Sequence, residues 1–240
     1  MATFILASGL HYYIKDEAEK RYPIPLEDRE GILTNIKKHV PKLDSIVYIG
    51  NNPANYERSD ERGLCLFESF DMAGMKFKTK TILDNRTKKR AKKIIEKADL
   101  IILAGGKIIC QMDFFKEIGL RELLENHEGL VIGTSAGAMN LCVDVLNFPE
   151  EADDMGQPLW AKGLGFYDVI LIPHFDGETK TYQLPCEEVN VVNDYILPAS
   201  VEKELIGQPD DSYILVDRDG VKFFGMHYII KNKKVTKYFP

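Results

Sequence analysis

Ser135 is the residue of this chain best placed to act as a nucleophile. It stands in Gly133-Thr134-Ser135-Ala136-Gly137, directly after the apolar run Leu130-Val131-Ile132 and before a helix-compatible segment. That is the G-x-S-x-G pattern of a serine at a sharp strand-to-helix turn. Such a turn presses its flanks against the adjoining strand and helix, so positions 133 and 137 have no room for side chains. The hydroxyl then sits at a helix N-terminus, where unpaired N–H groups and the helix dipole favour developing negative charge. Small residues after a strand also suit a tight βα turn or a phosphate-binding turn, so the pattern has to be weighed with its partners.

A serine hydroxyl attacks when a base takes its proton, and that base is usually a histidine oriented by a carboxylate. Of the five histidines, His11 follows the first strand, His39 ends a helix and His127 follows Glu125-Asn126; each reads as a surface residue. His174 is different, because it follows Val169-Ile170-Leu171-Ile172-Pro173. The spacing predicts it at the end of a buried strand, at the same sheet edge as Ser135, on backbone stiffened by Pro173. His227 is the competitor, since an intervening carboxylate would give the chain order of α/β-hydrolases. It lies inside Phe223-Phe224-Gly225-Met226-His227-Tyr228-Ile229-Ile230, a predicted edge strand, and ranks second. The acidic partner stays open: Asp210 and Asp211 follow Gly207-Gln208-Pro209, while Glu150, Glu151, Asp153 and Asp154 lie between serine and histidine.

Strand-like and helix-like segments alternate ahead of these residues. Strands are predicted at Phe4–Leu6, Ser45–Ile49, Thr79–Leu83, Leu100–Leu103 and Leu130–Ile132; helices at Leu26–His39, Arg58–Met75, Thr87–Ala98 and Gln111–Asn126. Such alternation implies a doubly wound, mostly parallel α/β sheet with right-handed crossovers, its ligands gathered at the carboxyl ends of the strands. Gly105-Gly106 and Ser135 fall at two such ends. Residues 150–162 are acidic and turn-rich and read as a loop or short hairpin over the site. Cys186–Ile196 reads as a helix. From Ser212 onward, apolar and polar residues alternate around Asp217-Arg218-Asp219-Gly220, which predicts antiparallel strands on one edge.

Composition narrows the function classes. The 240 residues, 45% hydrophobic and 28% charged, suit a single α/β domain spanning 1–240. The net charge of −6 leaves no basic footprint for nucleic acid, and Lys88-Lys89-Arg90-Ala91-Lys92-Lys93 reads as the solvated face of a helix. Cys65, Cys110, Cys142 and Cys186 form no C-x-x-C pair, so no metal site, cofactor or disulfide framework is implied. The amino terminus lacks a basic leader and no run is long enough to cross a membrane, so a cytoplasmic location is expected.

Four pieces in order carry a resemblance: Leu103-Ala104-Gly105-Gly106, Gly133-Thr134-Ser135-Ala136-Gly137-Ala138, Ile172-Pro173-His174-Phe175, and Gly207-Gln208-Pro209-Asp210-Asp211-Ser212-Tyr213-Ile214. With the alternating first half they make the chain similar to the S51 serine peptidases, which include aspartyl dipeptidase (peptidase E) and cyanophycinase. The resemblance implies the doubly wound fold of class I glutamine amidotransferases, with serine where those enzymes carry cysteine. It implies Ser135 as nucleophile, His174 as general base and Asp210, in register with Ser212-Tyr213, as the acid; the family's alternative acid would fall near Glu150. Backbone N–H groups of Gly106 and Ala136 would form the oxyanion hole.

The chain departs from the family after Gly106, where relatives usually continue with Asn-Thr-Phe and this sequence has Lys107-Ile108-Ile109. Peptidase E holds an N-terminal aspartate with a basic residue in a Gly-Glu-Thr-Arg segment. Here Gly177-Glu178-Thr179-Lys180 offers Lys180, and Lys107 is the other candidate substrate-binding charge. The resulting expectation is a serine hydrolase of small peptides, dipeptidase-like and acting on Asp-Xaa, as a monomer or homodimer. The alternatives are an α/β-hydrolase esterase using His227, or a non-catalytic small-ligand-binding protein on an amidotransferase-like scaffold.

Overall fold

The computed structural model describes residues 2–149, 156–177, 181–183 and 188–240. In chain order the elements are β1 (Thr3–Ala7), β2 (Tyr13–Lys15), β3 (Arg21–Pro23), α1 (Ile32–His39), β4 (Ser45–Ile49), α2 (Tyr56–Met72), β5 (Thr79–Leu83), α3 (Ala91–Ile95) and β6 (Leu100–Leu103). There follow α4 (Ile108–Glu117), α5 (Leu120–Glu125), β7 (Leu130–Thr134), α6 (Ala136–Leu141), β8 (Asp144–Leu146), β9 (Trp160–Lys162), β10 (Ile170–Pro173), β11 (Thr181–Gln183) and β12 (Glu188–Asn190). The chain closes with α7 (Leu197–Glu202), β13 (Leu205–Gln208), β14 (Tyr213–Asp217), β15 (Gly220–Phe224), β16 (His227–Lys231) and β17 (Lys234–Tyr238).

Among the described residues, the largest sheet has the order β15-β14-β1-β7-β6-β4-β5. Its five strands from β1 to β5 are parallel, and β14 and β15 form an antiparallel edge. The apolar runs are explained by burial on both faces. Alternate residues feed two separate cores: Phe4, Leu6, Ile101, Leu103 and Val131 on one side, Ile5, Ala7, Leu100, Ile102 and Ile132 on the other. Helices α1 and α2 cover the second face through Ile36, Leu66 and Phe70; α3 to α6 cover the first through Ile95, Phe115, Leu124 and Leu141. Each fully buried Ile or Phe contributes roughly 1.5–3 kcal/mol of transfer free energy. The doubly wound expectation and its antiparallel edge match this architecture.

Three elements differ from expectation. The strand before His174 is not in the central sheet. β10 pairs in parallel with β13, which continues antiparallel to β16 and β17 in a second sheet. The free side of β1 is taken by β14, with Leu6 opposite Ile214, so β10 buries Ile170 and Ile172 in a third core instead. The predicted helix over 111–126 is two helices, broken where Gly119 adopts φ +63°. The predicted helix over Cys186–Ile196 is replaced in part: Glu188–Asn190 pairs with Thr181–Gln183, and a π-helical turn at Val192–Ile196 leads into α7. A Val-rich stretch, Val189 with Val191 and Val192, favours extended backbone at its start.

A hydrogen-bonded joint ties the two sheets together at the carboxyl ends of their strands. Ser8, just past β1, donates its hydroxyl to the Gln208 carbonyl at 2.6 Å. The Gln208 amide group donates back to the Leu6 carbonyl at 3.0 Å and to the Ser212 carbonyl at 2.7 Å. Both side chains are buried, so these bonds are shielded from water.

Candidate active site

The turn at Ser135 is strained in the way its sequence predicts. Ser135 has φ 51° and ψ −119°, a region costing a non-glycine residue about 1–3 kcal/mol. It is held there because its N–H donates to the Ala7 carbonyl at 2.9 Å, while its own carbonyl accepts from the N–H groups of Ala138 and Met139. The flanking glycines are enforced by close approach. A Cβ at Gly137 would lie 2.1 Å from the Leu103 carbonyl oxygen, and one at Gly133 would lie 2.6 Å from that of Gly137.

The Gly105-Gly106 turn packs directly on the serine, since a Cβ at Gly105 would lie 2.9 Å from the Ser135 Cβ. Gly106 has φ +136°, and a Cβ there would meet Asn51 Nδ2 at 2.2 Å, so the position admits only glycine. A buried polar network fixes this turn. Gln111 donates to the Ala104 carbonyl at 2.8 Å, and Asn140 of α6 donates to Gln111 Oε1 at 3.0 Å and to the Ile108 carbonyl at 3.1 Å. Ala136 is the first residue of α6, so its N–H has no acceptor within the helix.

His174 directly follows β10 and has φ 58°, another strained non-glycine residue. Its N–H donates to Ser8 Oγ at 3.3 Å and the next N–H, of Phe175, donates to the Gln208 carbonyl at 3.1 Å. The joint between the sheets therefore also sets the histidine backbone. His174 Nδ1 meets the Asp210 carboxylate in a short contact. Asp211 faces elsewhere: Arg29 donates to it at 2.8 Å. His11 Nε2 lies 2.8 Å from the same oxygen, near enough for an ion pair but outside directed hydrogen-bond geometry. Ser135 and His174 line one cavity of about 240 Å³.

His227 is placed where it cannot serve this cavity. It is fully buried in the second sheet, edge-on to Phe223, with Nδ1 at 3.1 Å from the Gly225 carbonyl, and burial lowers its pKa. Cys142, behind the elbow helix, is also buried, and its thiol is pushed up to about 12, so it offers no thiolate. Lys107 is the N-cap residue of α4, one position past Gly106, and does not line the cavity. Lys180 lies outside the described residues, as do Glu150, Glu151, Asp153 and Asp154. No cluster of metal-ligating side chains occurs among the described residues, and no described helix is long and apolar enough to cross a membrane.

The family model of peptidase family S51 matches residues 67–223, a stretch that contains Gly106, Ser135, His174 and Asp210. The chain belongs to peptidase family S51. It is thus a peptidase, a serine hydrolase, and the α/β-hydrolase esterase and non-catalytic readings are set aside. Solved structures share the fold of this S51 peptidase. A peptidase from an acI-B1 Actinobacterium superposes with a TM-score of 0.69 at 17% identity, over 99% of this chain and 94% of that one. A protein from Listeria monocytogenes EGD-e, provisionally described as peptidase E, superposes with a TM-score of 0.59 at 14% identity, over 93% and 98% of the two chains. No curated protein matches the sequence significantly.

Sequence reasoning missed Ser8, Gln208, Asn140 and Gln111. None titrates; Gln208 lies within the quoted Gly207-Gln208-Pro209 piece with no role given to it, Ser8 stands just past a strand, and Asn140 and Gln111 sit among apolar neighbours.

Proposed function

We propose that this S51 peptidase hydrolyses small peptides through an acyl-enzyme on Ser135, in dipeptidase fashion, with Asp-Xaa as the preferred class. The observation that carries the reading is the His174–Asp210 pair opening on the same small cavity as the strained Ser135. With Nδ1 engaged by the carboxylate, Nε2 is the nitrogen that exchanges protons. Ser135 Oγ adds to the scissile carbonyl carbon and its proton passes to Nε2. The Gly106 and Ala136 N–H groups hold the oxyanion, each contributing about 3–4 kcal/mol. The C–N bond breaks as His174 returns the proton to the leaving amine, and an ester on Ser135 remains. Water then attacks that ester, gives its proton to His174, and releases the acid with the serine hydroxyl restored.

A cavity of about 240 Å³ supports a short substrate over a folded protein. Lys107, beside the Gly106 amide, and Lys180 are the lysines that would favour an acidic first residue. The test is a mass-spectrometric panel of dipeptides, Asp-Xaa and β-Asp-Xaa included, with wild type and Ser135→Ala side by side. Turnover confined to wild type is expected. Equal turnover by both proteins, or none by either, would reject the reading.

A further inference from the structure

One wall of the Ser135 cavity carries positive charge with no counter-charge among the described residues. Arg62 of α2 and Arg21 of β3 both line it, and among the described residues no aspartate or glutamate does. Arg86 bonds Asp60 and Asp84, Arg29 bonds Glu27 and Asp211, and Arg121 pairs with Glu125, whereas the two arginines on this wall have no such carboxylate. Among the described residues, Arg62 and Arg21 have neither an ion pair nor a side-chain hydrogen bond, and Arg62 Nε is buried with no acceptor. A desolvated guanidinium donor left unpaired is costly, and more so beside its own sign. Burial first, then Arg21 and Arg58, lower the pKa of Arg62.

The surrounding groups are suited to an anion. Arg21 stacks over the Tyr13 ring at 4.4 Å, which fixes the plane of its guanidinium. Tyr12 and Tyr48 also line the wall; burial pushes both phenols up, Tyr48 to about 12, so they remain hydroxyl donors. The net charge of the chain is −6, which makes this local positive field a property of the cavity rather than of the surface at large. Both arginines precede residue 67, where the match to the family model begins.

We propose that Arg62 and Arg21 form a carboxylate-binding subsite beside Ser135. The inference rests on the peptidase reading of the cavity and names the part of the substrate that enters it. A carboxylate there would give Arg62 Nε its acceptor and bridge to the stacked Arg21. In a short peptide the same chemistry is offered by an acidic side chain on the residue whose carbonyl is attacked, and by the terminal α-carboxylate.

The experiment uses four probes: Asp-Leu, Asn-Leu and the C-terminal amide of each. Wild type, Arg62→Gln, Arg62→Lys and Arg21→Gln are compared by kcat/KM, and the ratio of each acid to its amide isostere is read. Wild type is expected to favour the carboxylate at one position by about 10- to 100-fold, as for a charge-assisted bond. Arg62→Gln should collapse that ratio, and Arg21→Gln and Arg62→Lys should reduce it in part. The position at which the ratio collapses identifies the source of the carboxylate. The ratio is internal, so a general loss of activity does not mimic the result; if Arg62→Gln fails to fold, the other two variants carry the test.

Calorimetric binding of the four probes to Ser135→Ala, with and without Arg62→Gln, separates failure of the subsite from failure of the peptidase reading. Arg62-dependent binding of the acids without Ser135-dependent turnover would support the subsite alone. A wild-type ratio near one, a ratio unchanged in the arginine variants, or binding of no probe where turnover is also absent would overturn it.

Discussion

Replacing Ser8 with alanine tests how the proposed base, His174, is held. The hydroxyl donates to the Gln208 carbonyl at 2.6 Å and accepts from the His174 N–H at 3.3 Å. Loss of the first, shielded bond costs about 1 kcal/mol net. The Gln208 carbonyl keeps the Phe175 N–H at 3.1 Å, so it is not stranded. The His174 N–H does lose its acceptor, which adds about 1 kcal/mol, at the low end because His174 is partly open to water. The sum of about 2 kcal/mol lowers Tm by roughly 4–8 °C for a chain of this size. Activity should suffer more than stability. The φ of 58° at His174 is imposed by its surroundings. Once it relaxes, a displacement near 1 Å costs about 10²-fold, so kcat should fall by about 10- to 100-fold with KM changed far less. Ser69→Ala is the matched control: Ser69 is equally buried, but its hydroxyl has no partner among the described residues. That variant should be neutral, or more stable by up to about 1 kcal/mol, with unchanged kcat. Melting curves and steady-state kinetics on one peptide decide the matter. Equal destabilisation by the two variants, or full kcat in Ser8→Ala, would refute the reasoning.

Asp210→Asn should lower kcat by about 10²- to 10³-fold, less than for a fully buried triad carboxylate, because the side chains of His174 and Asp210 are 45% and 59% exposed. Asp211→Asn removes only a surface contact with Arg29 and His11 and should stay within about 3-fold of wild type; equal losses in the two variants would contradict the pairing. Gly137→Ala forces a methyl against the Leu103 carbonyl and should cost about 3 kcal/mol or more, read as a lower Tm with activity lost; a wild-type melt would refute it. Burial lowers the pKa values of His227 and His127, so the unfolded chain binds those protons more readily and stability is lost as pH falls below about 6.5. The unfolding free energy read from denaturant titrations should drop by up to about 1.4 kcal/mol per pH unit for each histidine, and His227→Phe should flatten the slope; an unchanged slope would count against the assignment.

The parallel half of the molecule could be read from its sequence because burial on both faces leaves apolar runs that nothing else requires. The elbow was legible for a similar reason: only a sharp, crowded turn needs glycines at both 133 and 137. The sheet to which Ile170–Pro173 belongs was not, since an apolar run looks the same in either sheet and the choice depends on β14 occupying the side of β1. Asp210 and Asp211 are chemically identical neighbours. What separates them is Arg29, 182 positions away from Asp211, which no local pattern reports. Arg62 was hidden for a different reason, sitting among Glu57, Arg58, Asp60 and Glu61 in a stretch that reads as a solvated helix face.

The proposed nucleophile, Ser135, and its proposed base, His174, stand on different sheets, and the two are latched where Ser8 and Gln208 meet. Competence therefore belongs to the seam and not to either scaffold. Warming or mild denaturant that loosens the seam is expected to silence the enzyme while both sheets keep their own ladders, so that inactivation and global unfolding show separate midpoints.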